Sequence, residues 1–203
     1  MEWRNSVRWE QWESRTIDGV VYSFEHLVQF DMRLERPAKG NLEAFSIGIR
    51  VVFDCHVVTD LDETLGPDDV ATDPRYWVDT GDNCRRFHSD RYELSKSLPD
   101  LIRGLPDGKT KCYIAKNTNY MVWRPLGAGL EGPHYQVFFD LYRTDDATPR
   151  LVMYVQSAYV KDNPLKVQRE HEKPFATVCA ELAGLIKKEP KGPRNKAKKK
   201  KGR

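Results

Sequence analysis

Apolar residues in this chain fall mostly in short, dense or alternating runs, and only a few segments repeat at helical spacing. VVYSFEHLVQFDMRLE (20–35) is rich in β-branched and aromatic residues and predicts a strand. AFSIGIRVVFDCHVVT (44–59) predicts a second, longer strand, and the turn-like RPAKGN (36–41) makes the two a hairpin. Further on, KCYIAK (111–116), NYMVWRP (119–125), HYQVFFDLYRT (134–144) and RLVMYVQSAYVK (150–161) predict three or four more strands. The last two are joined by Asp-Asp and Thr-Pro turn chemistry.

Helical signals are fewer. Trp3, Trp9 and Trp12 suit an amphipathic N-terminal helix laid against the body. Ser97-Leu-Pro-Asp100 fits a capping box with Pro in the first turn, Gly104 offers a stop, and a preceding turn starts at Ser89. KPFATVCAELAGLIKK (173–188) carries Phe175, Val178, Cys179, Leu182, Leu185 and Ile186 at helical spacing. Residues 60–83 are dominated by acidic side chains, Pro and Gly, and predict a long loop. No βαβ alternation and no repeat is present. The order therefore predicts an α+β fold: a twisted, mainly antiparallel sheet with an N-terminal hairpin, a central helix and a C-terminal helix. Residues 1–187 read as one domain, with a hairpin part (15–60), the acidic loop (60–83) and a helix-plus-sheet part (84–187). Residues 188–203 read as a disordered basic tail.

Charge changes this picture more than composition does. Hydrophobic residues make up 39% of 203 and aromatics 11%, which is globular material. The whole chain carries +3 and residues 187–203 carry +9, so the other 186 residues carry −6. A mildly acidic body thus bears a basic tail, and ten cations in seventeen residues suit a phosphate polyanion. Lys198, Lys199, Lys200 and Lys201 are its densest part. The four cysteines are widely spaced with no CxxC pair, as expected of free thiols in a reducing compartment. MEWRNSVRWEQWESR lacks the apolar centre of a signal peptide, and no apolar run is long enough to span a bilayer. A cytoplasmic protein is expected, with no membrane partner.

Three stretches carry candidate chemistry. RRFHSDRY (85–92) sets His88, which can take or give a proton near neutral pH, among Arg85, Arg86 and Arg91, whose planar forks suit a phosphate. The alternative is a solvated helix start in which Asp90 pairs with Arg86 or Arg91 and His88 caps a turn. In YVQSAYVK (154–161), strict alternation puts Ser157, Tyr159 and Lys161 on one face, together with Val155. In KCYIAKNTNYMVWR (111–124), Lys111, Tyr113, Lys116, Tyr120 and Arg124 interleave cations with rings, as a single-stranded nucleic-acid surface would, although AKNTNY is also an ordinary polar turn. Cys55-His56 and Cys84-x3-His88 contain zinc-type donors, but neighbours in a strand point to opposite faces, so no metal and no cofactor is expected. HExxH, P-loop and GxSxG motifs are absent.

Over residues 85–164, the basic His-containing segment and helix followed by strands ending in LVMYVQSAYV are similar to small RNase toxins and phage-borne nucleases of the barnase/EndoU/colicin/RelE-like superfamily. FDCHVVTD, RYELSKSLPDLI and VQSAYV also resemble bacterial proteins labelled stationary phase growth adaptation protein. The first resemblance implies RNA cleavage without metal, with His88 as base, Arg86 or Arg91 as phosphate clamp, and Ser157 or Tyr159 as the late-strand group. Residues 1–84 have no counterpart in a minimal toxin, and fold-level analogy does not carry function by itself. The preferred expectation is a metal-independent endoribonuclease, a toxin or defence effector, with Tyr159 or His56 protonating the leaving oxygen. Arg85, Lys116, Tyr120, Arg124 and Lys161 would contact RNA beside the tail. The rival is a non-enzymatic module whose tail holds nucleic acid or ribosomes while the body binds a protein partner or inhibitor.

Overall fold

β1 (Arg15–Ile17) and β2 (Val20–Tyr22) pair antiparallel about Asp18-Gly19, both at positive φ (50° and 80°). Asp-Gly is the strongest short hairpin signal, because glycine adopts the left-handed conformation without a Cβ penalty. The computed structural model describes residues 12–38, 43–66, 68, 70, 72–107, 111–114, 120–126, 133–144, 150–162 and 172–186. The N-terminal helix expected around Trp3 and Trp9, and the basic tail, lie outside these residues. Trp12 is buried.

The two long predicted strands each break. A 3-10 turn at Glu25–Leu27 separates β2 from β3 (Phe30–Arg36). β4 (Phe45–Phe53) ends where the Asp54 carboxylate accepts the His56 N–H at 3.0 Å and caps a second 3-10 turn, Cys55–Val57. The expected hairpin is real: β3 and β4 pair antiparallel from Phe30↔Val51 to Arg36↔Phe45. After the turn the chain resumes as β5 (Thr59–Leu61), which joins β6 (Tyr76–Val78) and β7 (Cys84–Phe87) in a three-stranded sheet. The acidic stretch is therefore partly strand, and the RRF of RRFHSDRY is strand rather than helix.

α1 (Ser89–Ser95) and α2 (Leu98–Arg103) follow. His88 caps α1, its Nδ1 accepting the Arg91 N–H at 3.5 Å. Ser97 does not cap α2. Its hydroxyl donates backward to the Leu94 carbonyl at 2.7 Å, so the capping-box expectation fails locally although α2 begins there. Gly104 does end α2, at an ordinary φ of −77°.

The remaining elements are β8 (Lys111–Ile114), β9 (Tyr120–Pro125), β10 (His134–Arg143), β11 (Arg150–Lys161), β12 (Glu172–Pro174) and α3 (Phe175–Leu182). They complete a seven-stranded sheet in the order β12-β8-β9-β10-β11-β4-β3. Its pairs are antiparallel except β4–β11, which run parallel from Gly48↔Arg150 to Phe53↔Val155. The architecture is the α+β, antiparallel-dominated one expected.

Leu34, Ile47, Ile49, Val51, Val137, Phe139, Leu151 and Met153 fill one face, all at most 1% exposed, and α3 seats Phe175 against Phe139. A β-bulge interrupts β11. Its register steps from Phe139↔Val155 to Phe138↔Ser157, leaving Gln156 unmatched. Val155 and Ala158 are consequently both buried, and Ser157 and Tyr159 share the face of Tyr154. The strict alternation that grouped Val155 with Ser157 is thus corrected. A second part of the core is aromatic: Phe24, fully buried, meets Trp12, Trp77, Phe87 and Tyr92 at ring separations of 5.3–6.2 Å. It binds the β1–β2 region, the small sheet and α1 together. Among the described residues, no helix is long and apolar enough to cross a membrane.

Candidate functional site

On β7 two adjacent arginines diverge. Arg85 is buried and Arg86 exposed. Arg85 donates from Nε to the Thr59 hydroxyl at 3.0 Å and from Nη2 to the Thr59 carbonyl at 3.3 Å, and its Nη1 lies 3.8 Å from Asp79. Thr59 in turn donates to the Cys55 carbonyl at 2.8 Å, so one buried guanidinium steadies the whole 3-10 turn. Arg91, one turn into α1, reaches the same turn from the other side. Its Nη1 donates to the carbonyls of His56 and Thr59, both at 2.9 Å, and its Nη2 meets Asp60 at 2.5 Å. Burial lowers the Arg91 pKa, and the Asp60 carboxylate opposes that shift.

Of the sequence-predicted catalytic residues, the fold links His88, Arg91 and Tyr159. His88 Nε2 lies 3.5 Å from Asp60, Asp60 pairs with Arg91, and the Arg91 guanidinium stands 5.4 Å from the centre of the Tyr159 ring. Asp60, not Asp90, is the partner of Arg91. Arg86 is not part of this group; it lines a separate cavity of about 310 Å³ with Asp18, Arg75 and Ser89. Ser157 lies opposite Phe138, half-buried, outside the chain of contacts from His88 to Tyr159.

The predicted nucleic-acid contacts scatter. Arg85 is internal, as described. Arg124 stands 5.4 Å over the Tyr135 ring and donates to the Ser97 hydroxyl at 2.6 Å, while Tyr120 stacks on Phe139 at 5.8 Å. Phe139 meets Phe175 of α3 and Ser97 lies between α1 and α2, so both side chains point toward the helices. Lys161 is exposed, its ammonium 5.7 Å from the Tyr159 ring. Lys116, Lys198, Lys199, Lys200 and Lys201 lie outside the described residues.

Sequence reasoning missed the polar knot at the turn itself. Asp54, Cys55 and His56 do not alternate along a strand; the 3-10 turn gathers them. Asp54 Oδ1 accepts from the Cys55 thiol at 3.4 Å, and Oδ2 accepts the Tyr154 hydroxyl from β11. His56 Nε2 lies 2.9 Å from Asp79 Oδ2 and 3.5 Å from Asp54 Oδ1. Asp79 is itself held by the backbone N–H of Gly81 at 2.8 Å, that of Asn83 at 3.0 Å, and the Asn83 amide. Burial pushes the Asp79 carboxyl up, but these donors, with His56, outweigh it and hold its pKa below the usual value. The Cys55 thiol is pushed well up, first by burial and then by Asp54; Tyr154 is raised by the same two causes. The available sequence signals were the contiguous Asp-Cys-His and the Asx-turn composition of Asp79-Thr-Gly-Asp-Asn.

A sequence model of the YjaZ family matches residues 14–183, most of the chain, so the chain belongs to that family. No curated protein and no solved structure matches it.

Proposed function

We propose that this YjaZ-family chain is a non-enzymatic, nucleic-acid-associated module of the cytoplasm. In this reading the basic segment 187–203 holds RNA or ribosomes and the folded body meets a protein partner. The observation that carries the reading is the inward commitment of Arg85 and Arg91, whose donors end on carbonyls, a hydroxyl and carboxylates of the fold, with Arg124 Nη2 likewise turned inward to the Ser97 hydroxyl. To grip a phosphodiester they would have to abandon charge-assisted bonds in a largely desolvated setting, each worth about 1.5–3 kcal/mol. The segment 187–203, with ten cations and one Glu, remains the densest positive charge on a chain whose other residues carry −6. Such a segment binds polyanions by counterion release, without sequence preference. Four buried cysteines that form no disulfide suit a reducing compartment.

Anisotropy of a labelled single-stranded RNA tests this directly. Full-length protein should bind with affinity that falls steeply with salt, and a chain ending at Lys187 should lose most of that affinity. Equal binding by the shortened chain overturns the reading.

A second reading is favoured by one observation, the run from His88 through Asp60 and Arg91 to Tyr159. It is a metal-independent endoribonuclease, a toxin or defence effector. His88 would draw the 2′-hydroxyl proton, Arg91 or the exposed Arg86 would offset charge at phosphorus, and Tyr159 or His56 would protonate the leaving oxygen. Induced expression of wild type beside His88→Ala separates the two. The enzyme reading requires RNA cleavage and growth inhibition that vanish in the variant at unchanged RNA affinity.

A further inference from the structure

Three guanidinium groups turn inward in this fold, and two of them face a carboxylate. Arg85 lies 3.8 Å from Asp79, and Arg91 pairs with Asp60. Arg124 has no such partner among the described residues; its Nη2 donates to the neutral Ser97 hydroxyl, at 2.6 Å. Its Nε is buried and meets no acceptor. Directly opposite Arg124, across the β9–β10 pair, stands Tyr135. That ring is fully buried, and its hydroxyl is also without a hydrogen-bond partner. The guanidinium stands 5.4 Å from the centre of the ring.

A buried polar group left without a partner is destabilising, and in native proteins nearly all such groups are satisfied by protein, water or ligand. Here two of them belong to directly paired residues, and both offer a hydrogen. A guanidinium nitrogen does not accept. The Tyr135 hydroxyl keeps its proton, because burial raises its pKa and the charges of Arg124 and Arg91 offset that only in part. Arg91 supplies field rather than a bond, since its Nη donors already end on the carbonyls of His56 and Thr59 and on Asp60.

We infer that Arg124 and Tyr135 form a binding site for one carboxylate group of a small organic acid, at the end of the sheet beside the α1–α2 connection. Two free donors match the two oxygens of a carboxylate. Its single negative charge matches the one inward guanidinium that lacks a counter-charge. A phosphate would bring further oxygens for which this pair supplies no donors. A water could accept from both groups, but it would bring two hydrogens that need acceptors and would leave the Arg124 charge uncompensated. Solvent is close by: Val160, opposite Tyr135 on β11, is 36% exposed. The site is independent of both RNA readings, which rest on segment 187–203 and on His88.

Urea unfolding of the full-length protein at pH 7, in sodium acetate and in sodium chloride of equal ionic strength, tests the proposal. A ligand that binds only the folded state raises stability with its concentration. Acetate also acts on proteins generally, by exclusion from their surface, so the readout is the response of wild type minus that of Tyr135→Phe. Segment 187–203 is common to both and cancels. The wild-type midpoint should climb with acetate beyond that of the variant. In chloride Tyr135→Phe should unfold at a higher midpoint than wild type, because the unpartnered hydroxyl is gone and the ring remains. Arg124→Lys keeps the charge without the Nε donor and should weaken acetate binding at least tenfold. Phosphate should separate wild type from Tyr135→Phe less than acetate does. The proposal fails if wild type and Tyr135→Phe respond to acetate alike, if phosphate separates them more than acetate, or if Tyr135→Phe is the less stable in chloride, the mark of a hydroxyl held by a bound water only. Should Arg124→Lys not fold, Tyr135→Phe decides alone.

Discussion

The seven-stranded sheet and its junction with the three-stranded sheet are both buried, but by opposite means. Beneath the helices, Ile47, Val51, Val137 and Phe139 bury hydrocarbon against hydrocarbon. At the junction the buried volume is filled by Arg85, Thr59 and Asp54, and every one of them is bonded to a neighbour. A sheet core of the first kind tolerates small errors of shape. A junction of the second kind fails if one partner is lost, because the other is left charged and desolvated. The contrast also explains how a run of arginines can look like a ligand grip and yet serve as a fastener.

Substitutions across the two regions test the contrast. The largest loss is expected in the apolar core: Phe139→Ala, at a fully buried ring stacked on Tyr120, should lower unfolding free energy by about 3–5 kcal/mol in urea titration. Arg85→Met keeps the volume but strands the Thr59 acceptors and Asp79, and should cost about 2–3 kcal/mol by the same measurement. A result near zero for Arg85→Met would show that the junction is not ionically held. Arg86→Ala, one residue along and facing solvent, should stay within about 0.5 kcal/mol.

A smaller, pH-dependent effect separates the regions further. His26, hydrogen-bonded to Ser95 at 2.7 Å, has its pKa lowered, chiefly by burial and next by Lys96. A depressed folded-state pKa means that the unfolded chain binds more protons, so this contribution is complete above the ordinary imidazole value of 6.5 and is lost as pH falls through the folded value. Stability should therefore decline on acidification from neutral pH. His26→Gln should flatten that slope in denaturant midpoints measured across the window, and an unchanged slope would place the titration elsewhere.

How much of this was legible depended on range. The strands 111–114, 120–125, 134–143 and 150–161 and the β3–β4 hairpin followed from local composition. The Asp18-Gly19 turn was equally local and simply passed over. What local pattern does not carry is whatever a distant partner imposes. FDCHVVT has a strand's composition, but Asp54 caps the turn and Tyr154 pins it from 100 residues away. The bulge at Gln156 kept Ser157 with Tyr159 but moved Val155 to the opposite face, since alternation does not encode an inserted residue. Within RRFHSDRY, the divergence of Arg85 and Arg86 follows from strand geometry once β7 is known. The partnership of Arg91 with Asp60 does not, because nothing in the nearby sequence announces it.

The parallel pairing of β4 with β11 has a consequence for how the chain is made. β4 is flanked by β3, its immediate neighbour in sequence, and by β11, whose residues 150–155 emerge about a hundred positions later. At roughly 5–20 residues per second of synthesis, one side of Ile47, Ile49 and Val51 waits for several seconds with its backbone donors and acceptors unsatisfied. During that interval the nascent protein offers a ready template to any passing extended segment. Assembly of this molecule is thus timed by its final third, and chaperone demand should be set by ribosome speed between residues 53 and 150.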